Sequence, residues 1–510
     1  MRRLTLLIAY LAVVGVLLAA HEPWRDELQS WSIARESGSL GELFAGSRYE
    51  GHPSGWYLLL FAVTRASGDF LAVQILNFGL MAAAVAILLW RAPLSLTQKA
   101  LACFGYFLLY EYAVLARNYA LGVLALFAVC ALARDWRRHW LWLQLCLVAM
   151  LQANVFAALL AGALFAALGL HALRAARRER RLRPRLALGA IIFAVGLVLS
   201  LLDMRVPADA GFMAGWQWRD PALATLLRSI ARAFVPIPQL TLHFWNTSLL
   251  GGAGPAGAPA WLEACVALAA LAAAGWILRR RPIALLAFGL AAAAIGCFLA
   301  VKYAGFLRHH GHFVLALLAA YWLGESLSAA EHRPAARARS RAPRSALLTL
   351  LLAIQAAASL PAAWFELRHP FSRARETAAF IREQGWSQCF LVGQPDYAAS
   401  AVAIELGAPV YYPESRRSGT HLFWDAERDA HGAPDIVSTV RELARAEGRV
   451  LLIANAPLPA ERLGAELAPI ASFAPAIEAS EQYYLYATPV ATAQATGAGE
   501  LRYNGASPQP

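Results

Sequence analysis

The chain has 510 residues, of which 59% are hydrophobic and only 15% charged, and its mean hydropathy is +0.47. That composition belongs to an integral membrane protein and excludes an ordinary water-soluble enzyme. The formal charge of +12 does not point to nucleic acid, because 22 of the 45 basic residues stand in six short segments that each adjoin an apolar run, the pattern of cytoplasmic loops.

In chain order, eleven apolar stretches approach the roughly 17–25 residues that a membrane-crossing helix needs. They are Leu4–Ala20, Phe70–Trp90, Lys99–Ala116, Arg117–Ala133, Trp140–Ala153, Asn154–Leu173, Leu186–Asp203, Trp261–Leu278, Ile283–Val301, Phe313–Ala330 and Ser345–Pro361. The first has the outline of a signal peptide. It is read as a membrane helix because His21-Glu22-Pro23 runs straight into a patterned polar loop. Ser54–Thr64 (SGWYLLLFAVT) is too short to cross. Were it to cross, either the N-terminus or the later Arg-rich loops would fall on the outer side. It is therefore predicted to lie as an interfacial helix, with Trp56 and Tyr57 at headgroup level. The N-terminus is then cytoplasmic. Residues 21–69 form a first external loop, 204–260 a second rich in Trp, Pro and Gly, and Lys302–His312 a short third.

After Pro361 the pattern changes. Helical stretches (RETAAFIREQG, DIVSTVRELARAEG) alternate with short β-type runs (CFLVG, PVYYP, RVLLIA, YYLYA). This predicts a small α/β domain with a mainly parallel sheet over residues 362–490. It carries no G-x-G-x-x-G and no P-loop, so no nucleotide site is expected. From Pro361 onward there are 12 arginines, no lysine and 17 acids, which suits an extracytoplasmic location. The tail, 491–510, is expected to be disordered. Five of the six cysteines lie in apolar runs and Cys389 stands alone, so neither a disulfide framework nor metal-type Cys spacing is present. The fold class expected is a polytopic α-helical membrane protein of about 11 transmembrane helices, residues 1–361, with an extracytoplasmic α/β domain.

Chemistry is expected in the first external loop. Asp26 and Glu27 open a helix, DELQSWSIARES, just outside the first span. Acids in a first turn complement the helix dipole. A carboxylate held at the membrane surface also serves as a general base for a sugar or lipid hydroxyl. Further on comes Arg48-Tyr49-Glu50-Gly51-His52-Pro53, where the proline holds His52 extended at the depth of a lipid phosphate. On the same membrane face, Arg308-His309-His310-Gly311-His312 is suited to gripping a phosphate by charge-assisted hydrogen bonds. No helix-spaced H-x-x-x-H accompanies it, so phosphate is favoured over metal. Glu111 and Arg117-Asn118-Tyr119 lie where two spans meet outside, and ionisable groups there are functional candidates. Arg117 is expected to hold phosphate or to pair with Glu111.

Taken together, WRDELQSW after the first span, R-Y-x-G-H-P with its short apolar helix, A-R-N-Y-A-L and the external C-terminal domain resemble the C-type glycosyltransferase superfamily. That superfamily includes bacterial family-39-like enzymes, protein O-mannosyltransferases and lipid A aminoarabinose transferases. The resemblance covers roughly the first 360 residues. It implies a polyprenyl-phosphate sugar donor, maps Asp26 onto the family's catalytic acid with Glu27 as its neighbour, and maps His52 onto the basic or imidazole position before the proline. One departure stands out: several relatives carry a second aspartate where Ala116 and Arg117 stand here, and Glu111 is the nearest acid.

The resemblance therefore implies a glycosyltransferase of the bacterial inner membrane. It would move a sugar with inversion to an extracytoplasmic glycan, lipid or protein acceptor. Asp26 and Glu27 are the catalytic candidates. Arg25, Arg48, Tyr49, His52, Glu111, Arg117, Tyr119, Arg308, His309, His310 and His312 are the substrate-binding candidates. No dedicated metal ligands are assigned, although a divalent ion (Mg or Mn) stays open as a cofactor. Expected partners are the lipid-linked donor, the acceptor and membrane lipid, with no nucleic acid. The alternatives are a transporter or flippase, which net flux of an unchanged solute would reveal, and a non-catalytic lipid-glycan binder, which would bind without turnover.

Overall fold

A computed structural model describes residues 1–211, 218–251, 259–330, 342–429, 435–464 and 467–489; the predicted disordered tail, 491–510, lies outside the described residues. Ten of the eleven predicted apolar runs form helices that satisfy their own backbone groups, as lipid demands. They are α1 (Arg2–Ala20), α5 (Leu71–Arg91), α7 (Tyr119–Leu132), α8 (Trp136–Leu151), α9 (Val155–Ala176), α10 (Arg183–Asp203), α12 (Ala260–Leu278), α13 (Pro282–Val301), α15 (His312–Ala330) and α16 (Ala342–Glu366). Among the described residues, eight helical stretches are long and apolar enough to cross a membrane. The protein is a multi-pass membrane protein.

The third run, Lys99–Ala116, is not one helix. It divides into α6 (Leu96–Cys103), a π-helical turn (Phe107–Glu111) and an irregular stretch before α7. The freed carbonyls are met from within the bundle: Asn77 Nδ2, on α5 and fully buried, donates to the carbonyls of Tyr112 at 3.1 Å and Ala113 at 3.0 Å. Irregular backbone at this depth persists only where protein supplies such partners.

At one end of the bundle lie α2 (Arg25–Glu36), α3 (Leu40–Ser47), α4 (Gly55–Ala66), α11 (Leu223–Phe234) and the short α14 (Leu307–His310). The predicted interfacial helix is α4, but Trp56 and Tyr57 are buried within the protein, each 1% exposed, rather than open on its surface. The reason is α2. This helix is polar in sequence yet buried from Glu27 to Ala34, because α4 covers one side and the C-terminal domain the other.

That domain contains α17 (Ala374–Glu383), β1 (Phe390–Gln394), α18 (Asp396–Leu406), β2 (Val410–Tyr412), β3 (Arg417–Gly419), α19 (Ala426–Asp429), α20 (Ile436–Glu447), β4 (Val450–Ala454), β5 (Ala468–Phe473) and β6 (Tyr483–Ala487). Strand order is β3-β2-β1-β4-β6-β5. Only β1–β2 and β1–β4 are parallel, so the expected mainly parallel sheet is instead mixed. Connection length accounts for two of the three antiparallel pairs, β2–β3 and β5–β6. Helices cross between the three central strands, whereas β2–β3 and β5–β6 are joined by short segments that only antiparallel pairing permits. The domain grips α2 through Gln29, whose amide donates to the Leu422 carbonyl at 2.8 Å and accepts from the Leu422 N–H at 3.1 Å.

Candidate active site

Adjacent residues on a helix point about 100° apart, so Asp26 and Glu27 cannot share a direction. Glu27 turns inward and is 1% exposed. Its carboxylate accepts from the N–H groups of Ala116 (2.5 Å) and Trp24 (3.2 Å) and meets His21 Nε2 at 2.9 Å. These contacts are structural, and Glu27, sketched above as a catalytic candidate, does not line the cavity onto which Asp26 opens. The network continues: His21 Nδ1 meets Glu366 Oε1 at 2.7 Å, and Tyr110 Oη donates to Glu366 Oε2 at 2.7 Å. It ties the start of α2 to the end of α16 and the π-helical turn. Burial alone pushes the His21 imidazole down, but the Glu27 and Glu366 carboxylates outweigh it and raise the group from 6.5 to about 10. A raised imidazole stabilises the fold fully below its unfolded value and loses that contribution as pH rises through its folded value. The melting temperature is thus expected to fall between about pH 6.5 and 10, and His21→Gln to lack that part of the fall. Parallel melting curves for the two proteins over this range would refute the network's charge state.

Asp26 turns outward onto a cavity of about 370 Å³. Its carboxylate lies 3.5 Å from Arg308, 3.6 Å from Arg117 and 3.9 Å from Arg25. Arg117 also donates to the Asp26 backbone carbonyl. It reaches there because its chain segment is held twice, by Asn77 from one side and by Glu27 at Ala116 from the other. Arg308, 8% exposed, sits among the rings of Phe306 (4.7 Å), Trp245 (5.2 Å) and Trp24 (5.4 Å). This aromatic cage fixes the guanidinium without neutralising it. Burial works to raise the Asp26 pKa, but Arg117, Arg308 and Arg25 together hold it below the usual carboxylate value.

His52, Tyr49, Tyr119 and His309 line the same cavity, as does Arg25. His52 is held neutral: burial first, and Arg117 beside it, lower the imidazole to about 3. Burial and Arg308 also keep His309 neutral. Its Nδ1 accepts from the Phe306 N–H at 2.8 Å, which leaves the proton on Nε2. Both imidazoles therefore offer hydrogen bonds, not charge.

The remaining candidates lie off the cavity wall. His310 and His312 do not line the cavity; their ring nitrogens donate to the carbonyls of Ala304 (3.1 Å) and His309 (3.0 Å). Arg48 sits on a separate outer groove, paired with Asp209 at 3.1 Å. Glu111 does not line the cavity; it is buried, accepts from Tyr106 Oη at 2.9 Å and faces Arg308 and Trp245 of the cavity wall from behind. Arg117 pairs with Asp26, not Glu111. Besides Glu478 of the C-terminal domain, the cavity wall carries Glu50, a residue inside the R-Y-E-G-H-P element to which sequence reasoning gave no role. Burial pushes its carboxyl up, against a hydrogen bond from Gln29 at 3.0 Å.

Sequence reasoning also missed Trp24, Asn154, Trp245 and Asn246, together with the C-terminal domain's Tyr397, Ser400, Trp424 and Glu478, all on the cavity wall. Asn154 had a legible signal, since an Asn directly before an apolar run marks a helix N-cap; the others had none. As for a metal, Asp26 is surrounded by guanidinium groups, a setting that repels a divalent cation. Among the described residues no three His, Cys, Asp or Glu side chains form a metal-binding group.

No protein-family model and no curated protein matches this sequence. Among solved structures, the fold is similar to that of ArnT from Cupriavidus metallidurans, a C-type glycosyltransferase, in two states. Against ArnT bound to undecaprenyl phosphate the TM-score is 0.51 at 15% identity, covering 97% of this chain and 99% of the other. Against the apo state it is 0.50 at 16% identity, covering 94% and 97%. The likeness extends over both the helical bundle and the C-terminal domain, and it is the fold that the sequence resemblance implied.

Proposed function

We propose that this protein is a C-type glycosyltransferase. It takes a sugar from a polyprenyl phosphate, undecaprenyl phosphate in a bacterial inner membrane, and passes it with inversion to an extracytoplasmic glycan, lipid or protein acceptor. The observation that carries the reading is one outward carboxylate, Asp26, facing Arg308 at 3.5 Å and Arg117 at 3.6 Å across a single cavity. The undecaprenyl phosphate bound by the ArnT of the same fold supports the choice of lipid.

In this reading the donor phosphate takes the two arginines. The acceptor hydroxyl attacks the anomeric carbon as the bond from that carbon to the phosphate oxygen breaks. Its proton passes to Asp26, and polyprenyl phosphate leaves with the bonding pair. A phosphate stabilised by Arg117 and Arg308 is already a good leaving group and needs no acid. The arginines link binding to catalysis. Unliganded, they hold the Asp26 pKa down. When phosphate competes for them, the carboxylate loses part of that field and becomes more basic, just when the hydroxyl needs a base. Residues Tyr397, Trp424 and Glu478 on the cavity wall support a role for the C-terminal domain in covering the site.

The direct test is turnover of a panel of undecaprenyl-phosphate sugars by purified protein, read as released undecaprenyl phosphate. Arg308→Met, which keeps most of the side chain's bulk, is expected to weaken binding of undecaprenyl phosphate by about 10–100-fold, the range for losing hydrogen bonds to a charged group. Wild-type affinity in that variant would remove the phosphate from this end of the cavity.

A further inference from the structure

Apart from Trp245 Nε1, which faces the Glu111 carboxylate, four buried polar atoms belonging to residues of the cavity wall have no hydrogen-bond partner among the described residues: Trp24 Nε1, His52 Nδ1, Asn154 Nδ2 and Asn246 Oδ1. Buried polar groups are rarely left unpaired, because desolvation is not repaid. These four come from separate parts of the chain, so no single misfitted turn explains them.

Two are fixed by other constraints. Asn154 is 2% exposed, and its Oδ1 accepts from the Ala157 N–H at 2.9 Å, capping α9. The cap settles which end of the amide is oxygen and leaves Nδ2 as a held donor. Asn246 has φ of +60°, a left-handed conformation that asparagine tolerates far better than most residues. Its neighbours anchor it: Trp245 packs on Trp24 with ring centroids 4.7 Å apart, and Thr247 accepts from the Gln239 N–H at 3.0 Å.

The four groups are all uncharged, His52 being held neutral by burial and by Arg117. They mix donors with an acceptor, and the ligand that satisfies such a mixture is one whose groups both donate and accept, a set of hydroxyls. They share the cavity with the arginines that the preceding reading gives to phosphate. We propose that Asn154 and Asn246, with Trp24 and His52, form the subsite that reads the hydroxyls of the glycosyl unit on the lipid-linked donor. This rests on the polyprenyl-phosphate reading.

The test compares bare undecaprenyl phosphate with a panel of undecaprenyl-phosphate hexoses and pentoses, binding to full-length protein in nanodiscs. Two substitutions keep the backbone demands intact. Asn154→Asp retains the capping oxygen while removing the donor, and Asn246→Gly suits the positive φ while removing the side chain. Wild type is expected to bind at least one glycosylated lipid about tenfold or more tightly than the bare lipid. Each variant is expected to lose about tenfold of that preference, the worth of one hydrogen bond in a buried site, and the uncharged Asn246→Gly to keep bare-lipid affinity within about twofold of wild type. An unchanged preference in Asn246→Gly, or equal binding of bare and glycosylated lipids by wild type, overturns the subsite. Failure of wild type to bind the bare lipid overturns the polyprenyl-phosphate reading itself, so the two failures are distinguishable.

Discussion

Replacing Asp26 by asparagine is expected to lower glycosyl transfer by about 10²- to 10⁴-fold, the usual contribution of a positioned general base. The side chain is nearly isosteric and keeps one oxygen, so shape and most hydrogen bonding survive while the proton acceptor is lost. Stability should change little. The carboxylate is 30% exposed and its ion pairs, at 3.5 and 3.6 Å, are long, and pairs open to solvent contribute little. Donor affinity should hold or rise, because Arg117 and Arg308 no longer divide their charge between the carboxylate and the phosphate. The diagnostic pattern is a fall in kcat without a rise in KM. Transfer by the variant at wild-type rates would end the assignment of Asp26 as base.

Glu27→Ala should give the opposite signature, a loss of folding stability on the order of 3–5 kcal/mol. That is the cost of removing one partner from a buried ion pair, and both Glu27 and His21 have side chains 0% exposed. The deletion leaves His21 with one carboxylate instead of two and strips the Ala116 N–H of its acceptor. Because Ala116 precedes Arg117, activity should fall as well, through a misplaced guanidinium rather than a missing base. Glu27→Gln, which can still accept from Ala116, should recover part of the activity but not the ion pair. Denaturant unfolding of the reconstituted protein separates the cases. A Glu27→Ala protein as stable as wild type would mean that the buried network carries no load.

The contrast within this one acidic pair shows how far sequence reasoning reaches. The pair itself, its helix and its place outside the first span were all legible, because a polar dipeptide between an apolar run and an amphipathic stretch has few places to go. Which carboxylate faces the cavity was not legible, since the answer depends on where the Ala116 N–H and His21 lie. The same holds for the histidine cluster. Three imidazoles within four residues looked equivalent, yet only His309 reaches the cavity, because local carbonyls claim the ring nitrogens of His310 and His312. Glu50 went unassigned although it lay inside a recognised element, for nothing local distinguishes a buried loop carboxylate from a solvated one.

The sequence alone determined the class of molecule, the position of nearly every span and the helix–strand alternation of the C-terminal domain. In lipid each segment must satisfy its own backbone, so the signal is local and survives without tertiary information. The tertiary structure decided three things: the breaking of the third run, the mixed sheet, and the convergence of Asp26, Arg117, Arg308, Asn154 and Asn246 on one cavity. Those outcomes come from packing between segments far apart in the chain, where Asn77, Gln29 and Glu27 act as the fasteners, and no window of neighbouring residues records them.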